Sequence, residues 1–157
     1  MVGGRGDGDC RPSEPGRVRV VADLKHVQID EIDAIEGFDR LSMRRAAAAL
    51  GVSSFGISIE EFGPGADEYP EHDHDAEGLG GKMFGERTEQ LGQEEVYVAL
   101  RGSGTLVVDG EEYPIDSDHI ARVGPGVARK ILAGPDGLRL LALGAKPGEA
   151  YDAGGTL

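Results

Sequence analysis

The sequence has no tryptophan, one cysteine and few other aromatic residues. A lone Cys10 excludes an internal disulfide and suits a reducing compartment. No apolar run approaches the roughly 20 residues that a membrane-spanning helix needs. Cationic residues are scarce as well: 16 Lys and Arg stand against 29 Asp and Glu, for a formal charge of −13. They form no basic stripe, which excludes nucleic acid and anionic membrane surfaces as expected partners. Residues 1–17 lack apolar content and have no apolar signal-peptide core. Such a segment cannot offset its own ordering entropy, so it reads as a disordered tail. The expectation is a soluble, cytoplasmic protein with one domain over residues 18–152 and a short tail at 153–157.

Glycine is abundant, 26 of 157 residues, and much of it punctuates short β-rich runs. VRVV (18–21) predicts a first strand. Asp30 is placed to cap a turn of helix that Gly37 ends, and Ser42 to cap an Ala-rich helix over 43–50 that Gly51 stops. From residue 53 the pattern turns to strands. SSFGISIEEF (53–62) alternates, with Phe55, Ile57 and Ile59 on one face. EYPEHDHD, EVYVALRG, TLVVDGEEYPI, IARVGPG, RKILAG and LRLLALG follow. Asp109-Gly110 suits a type I′ turn, in which both central residues need positive φ. Seven or eight strands after a small helical preface predict an all-β sandwich or barrel.

Chemistry-bearing residues concentrate in EHDHD (71–75). Two of the four histidines, His72 and His74, stand two apart. On a strand they share one face, which suits two ligands to one metal. Two histidines in an acidic loop are also a common solvated pattern, so a metal reading requires a third ligand from elsewhere.

The chain resembles the small cupins over residues 53–145. Their first motif reads Gly, five residues, His-x-His, three or four residues, Glu, six residues, Gly. This chain has His72-x-His74, then Glu95, VYVALR and Gly102. Their second motif reads Gly, five residues, Pro-x-Gly, two residues, His, three residues, Asn. Here VGPGVAR stands in its place, with Gly126 as the glycine of Pro-x-Gly. The resemblance implies a conserved β-barrel of jelly-roll type with a short helical preface. It also implies a homodimer and a divalent transition metal (Fe, Mn, Ni or Zn) on His72, His74 and Glu95.

The departures bear on function. Six residues rather than five separate Gly65 from His72, as a bulge would require. Twenty residues, DAEGLGGKMFGERTEQLGQE, separate His74 from Glu95, an insertion that is either a lid bearing Met83 and Phe84 or simply mobile. Gly124 replaces the first motif-two proline and Asp118 the opening glycine. The motif-two histidine is Arg129, and its Asn partner is Ala133. His119 reads as a surface turn residue and His26 as structural or exposed, so neither supplies the missing ligand.

A guanidinium cannot ligate a metal. Arg129 has three possible roles: pairing with Glu95 in a metal-free site, binding an anionic substrate group beside a three-ligand metal, or turning away. Tyr97 shares the face of Glu95 and either orients a ligand or lines the barrel. One reading is therefore a metal-dependent cupin enzyme, an oxygenase, isomerase or lyase acting on a small polar or anionic molecule. The other is a metal-free cupin that binds a small ligand or serves a structural role, with Arg129 in place of the histidine.

Overall fold

The computed structural model describes residues 23–83 and 90–149. The expected tail, the strand at 18–21, Cys10, Phe84 and the C-terminal tail lie outside them.

Seven strands form one antiparallel sheet among the described residues: β1 (Ala34–Phe38), β2 (Leu41–Arg45), β3 (Gly56–Phe62), β4 (Glu94–Val108), β5 (Glu111–Ile115), β6 (Ile120–Val123) and β7 (Lys130–Ala145). Their order is β1-β2-β3-β7-β4-β5, with β6 paired to β4. Helices are short: α1 (Ala46–Leu50), α2 (Leu79–Met83) and a 3-10 turn at Ile29–Glu31. None is long and apolar enough to cross a membrane. This is the all-β architecture the strand pattern predicts and the jelly-roll type the resemblance implies, with a little helix.

Two long bent strands build the barrel. EVYVALRG and the start of TLVVDGEEYPI are one strand, β4, and RKILAG with LRLLALG are one strand, β7. The first half of β4 pairs with β6 on one edge and its last third with β5, while β7 runs along the other edge. The ladder shifts register at Ala99/Arg101 and Gly102/Gly104. Gly102 has φ +74, and a Cβ there would lie 2.1 Å from the Gly137 carbonyl oxygen. Only glycine can make that bend. The Asp109-Gly110 turn has φ 52 and 80, as the type I′ reading requires. The core packs inside the roll and includes Phe62, Tyr97, Leu106, Ile131, Leu138 and Leu140.

Four local expectations are corrected. Residues 43–45 are strand, not helix, because Ser42 to Arg45 pair with Glu61 to Ser58 on β3. That ladder overrides the helix propensity of Met43, Arg44 and Arg45 until Ala46, and the helix then ends at Gly51 with φ 68 as expected. Asp30 caps nothing; it lies inside the 3-10 turn and accepts from Arg139 at 2.7 Å, and Gly37 belongs to β1. EYPEHDHD forms no strand beyond a single bridge between His72 and Arg129. Pro70 has no N–H to give a ladder, and the Asp73 carboxylate collects the N–H groups of Asp75, Leu79 and Gly80 at 3.0, 2.8 and 2.5 Å. Gly65 takes φ +64 in that irregular segment, so the extra residue before His72 needs no bulge. On β3 the alternation has a buried residue on each face. Ile59 is buried outside the central cluster on a strand that α1 packs against, and Phe55 is exposed. The other face, Ser58, Glu60 and Phe62, looks into the barrel.

Candidate metal centre

Backbone hydrogen bonds pin the histidine segment to the GPG turn. His72 N donates to the Arg129 carbonyl at 3.0 Å, Arg129 N returns to His72 at 2.8 Å, and His74 N donates to Pro125 at 2.7 Å. The turn closes through Val127 N to the Gly124 carbonyl. Without a regular strand, the two imidazoles still share one side, with ring centroids 5.6 Å apart. The insertion leaves through the Asp73 turn and returns where Gly92 N donates to the His74 carbonyl at 2.6 Å. Both of its ends are thus tied beside one histidine.

Glu95 enters from β4. One ligand atom from each of His72, His74 and Glu95 lies within 4.8 Å of the others. His72 Nδ1 lies 3.2 Å from the Pro70 carbonyl. As donor there, it leaves the ring lone pair on Nε2. His74 bonds the Gln93 backbone and directs Nε2 toward Glu95 Oε2, 3.8 Å away. Backbone-fixed tautomers of this kind orient metal-binding histidines.

Protonation suits the same use. Burial, then the Arg129 charge, pushes the His72 imidazole down to about 4. Burial, helped by Arg129, also lowers His74 against the pull of Glu95. Burial opposes ionisation of Glu95, but the charges of His74 (when protonated) and Arg129, with hydrogen bonds from Tyr97 and Arg129, hold it below the usual range. Near neutral pH the set is two neutral imidazoles and one carboxylate, the forms that ligate a dication.

Arg129 occupies the middle of this set. Its side chain is fully buried. Nη2 donates to Glu95 Oε2 at 2.5 Å and faces His74 Nε2 at 3.0 Å. Nε donates to the Tyr97 hydroxyl at 3.1 Å and Nη1 to the Val127 carbonyl at 3.3 Å. The Tyr97 hydroxyl in turn donates to Glu95 Oε2. Of the three orientations open to Arg129, the structure shows the pairing with Glu95. The donor set fits a metal ion by distance and protonation, on condition that the guanidinium gives up Glu95 Oε2 and His74 Nε2.

His119 lies outside this centre, exposed in its turn with Nδ1 2.6 Å from Asp116 Oδ1. His26 is exposed. Two residues that the sequence reading passed over belong with the site. The Tyr69 ring packs edge-on against His72 with centroids 5.0 Å apart. Glu60, on the inner face of β3, is buried and interacts electrostatically with Glu95 and Arg129. The signal for Glu60 was its place two residues before Phe62.

Fold and site together define a small cupin-fold domain. Three solved structures carry the comparison. One is a sugar phosphate isomerase of the cupin superfamily from Silicibacter pomeroyi, 20% identical over 77% of this chain and 75% of that one, TM-score 0.56. Another is a cupin protein from Bacteroides fragilis, 20% identical over 84% and 94%, TM-score 0.56. The third is a predicted oxalate decarboxylase from Thermotoga maritima, 19% identical over 77% and 98%, TM-score 0.56. No family model matches the sequence, and no curated protein matches it. Likeness at this identity establishes the fold, which hosts many chemistries.

Proposed function

We propose that this chain is a metal-binding cupin in which His72, His74 and Glu95 hold one divalent transition ion. In this reading the centre also takes a small polar or anionic molecule, contacted by Arg129 and Tyr97. The observation that carries the reading is the convergence of the three ligand atoms within 4.8 Å. Two histidines and a carboxylate are the ligand set of the non-haem iron facial triad. A bound metal would supply Lewis-acid or oxygen chemistry of the kind that oxygenases, isomerases and lyases use. The chain's own residues supply the rest. Pro70 and the Gln93 backbone fix the imidazoles, Tyr97 orients the Glu95 carboxylate, and Arg129 supplies a permanent positive charge for an anionic group.

Metal analysis of untagged protein tests this. About one equivalent of Fe, Mn, Ni or Zn after anaerobic loading, lost in His72→Ala, is the expected result. Trace metal only, unchanged by loading, overturns it.

A second reading rests on a specific contact, the Arg129 Nη2 bond to Glu95 Oε2. Here the guanidinium takes the place of the metal, and the chain is a metal-free, non-catalytic cupin that binds a small ligand or serves a structural role. In that case His72→Ala alters stability and leaves metal content at trace levels, as in the wild type.

A further inference from the structure

Glu60 is 4% exposed and poorly bonded. Oε1 lies 3.5 Å from Ser58 Oγ, and Oε2 is buried with no hydrogen-bond partner. A buried carboxyl oxygen left this way is costly and calls for an explanation. The sheet register gives its position. Glu60 stands opposite Leu140 on β7, and Leu140 stands opposite Ala99 on β4. One row along, Ser58, Ala142 and Tyr97 align; one row further, Gly56, Gly144 and Glu95. Glu60 and Glu95 therefore project from the same inner surface, on strands about 10 Å apart with β7 between them, and two inner rows, roughly 13 Å, apart along the strands. The middle strand presents only Ala142 and Gly144 between the inner rows of Ser58 and Tyr97, Gly56 and Glu95.

The groups acting on Glu60 are few. Glu95 comes from β4, Arg129 from the GPG turn and Ser58 from β3 itself. Tyr69, from the irregular segment, feels Glu60, Glu95 and Arg129 together, and so does Tyr97. Across the ladders Glu60 faces apolar Met43 and Leu140. Arg129 is the cation in this set, and it serves two carboxyl groups while bonding one.

We propose that Glu60 is a positioning residue of the metal centre, the carboxylate to which Arg129 turns when a dication takes Glu95. The inference rests on the metal-binding reading of His72, His74 and Glu95. Without metal, Glu60 keeps its proton because burial, then Glu95, pushes its carboxyl up to about 8 against the opposing charge of Arg129. A dication adds two positive charges beside a guanidinium that cannot lose its own. Arg129 must then leave Glu95 Oε2. Ionised Glu60 gives it a partner on the same surface. The balance is simple: one metal ion enters, the Glu60 O–H bond breaks, and one proton passes to the buffer.

The test is calorimetric titration of the untagged full chain with Ni2+ at pH 7, in buffers of different ionisation enthalpy, with Glu60→Gln beside the wild type. Ni2+ stands high in the divalent affinity order and suits imidazole. The wild type should release about one more proton per ion than E60Q, since any bound water is common to both. The pH dependence gives a second measure: the excess release of the wild type over E60Q should fall toward zero by about pH 9, where Glu60 is already ionised. Equal proton release in both proteins, or no fall with pH, overturns the proposal and leaves the metal-binding reading standing. Absence of Ni2+ binding to the wild type overturns both.

Discussion

Glu94 and Glu95 are neighbours at the start of β4, and each pairs with an arginine, but strand alternation sends them to opposite faces. Outside, Glu94 bonds Arg122, whose side chain is 61% exposed. Inside, Glu95 bonds Arg129, whose side chain is 0% exposed. The chemistry of the two pairs is the same and their surroundings are not. Water screens the outer pair and competes for both partners, so it adds little to stability. Arg129 has lost its water and Glu95 most of its own, so each charge now depends on the other. That dependence makes Arg129 both a support for the site and an obstacle to a metal.

Removing Arg129 should break the comparison most strongly. Arg129→Met leaves the largely buried Glu95 without its cation, and denaturant unfolding at pH 7 should show a loss of about 3–5 kcal/mol. Adding a divalent metal to R129M should recover much of it, because the ion then supplies the missing charge. No recovery favours the metal-free reading.

Glu60 gives the next effect through pH. Its carboxyl is ordinary at 4.5 when unfolded and pushed up to about 8 by burial and by Glu95 when folded. The folded state binds the proton more tightly, so this group's contribution is complete below pH 4.5 and declines as pH rises toward about 8. The slope is at most about 1.4 kcal/mol per pH unit. Denaturation midpoints of wild type and Glu60→Gln, compared from pH 5 to pH 8.5, should diverge in that sense. Parallel curves would mean that Glu60 is ionised throughout.

Tyr97→Phe removes a hydroxyl that bonds both members of the inner pair. A loss of about 1–3 kcal/mol is expected, measured by the same unfolding curves. Arg122→Ala should be the mildest change, within about 1 kcal/mol and smaller still in high salt. A loss as large as that of R129M would remove the distinction between the two faces.

Parts of this site were legible in the residues. The two-residue spacing of His72 and His74 put both rings on one side, although the expected strand is replaced by a loop stitched to residues 125–129. The Glu95 to Gly102 interval follows from the bend, since Gly102 alone can sit against the Gly137 carbonyl. Glu60 was hidden for a physical reason. An apolar alternation shows that one face is buried, but β3 is covered on both. Ile59 lies on the α1 side and Phe62 in the barrel, so the alternation alone does not say which face holds the site.

Local conformational demands were fixed by the residues themselves: the Asp109-Gly110 turn, the glycine bends and the stop at Gly51 each follow from φ values that side chains resist. The partner of Arg129 was not fixed in that way. Its choice depends on which carboxylates share its dry interior, and those stand on β3 and β4, brought to one surface only when β7 inserts between them. Where the chain turns, and which two histidines point together, thus follow from the residues alone. Tertiary structure decided that Arg129 joins them, because burial, and not residue type, sets how strongly two charges need each other.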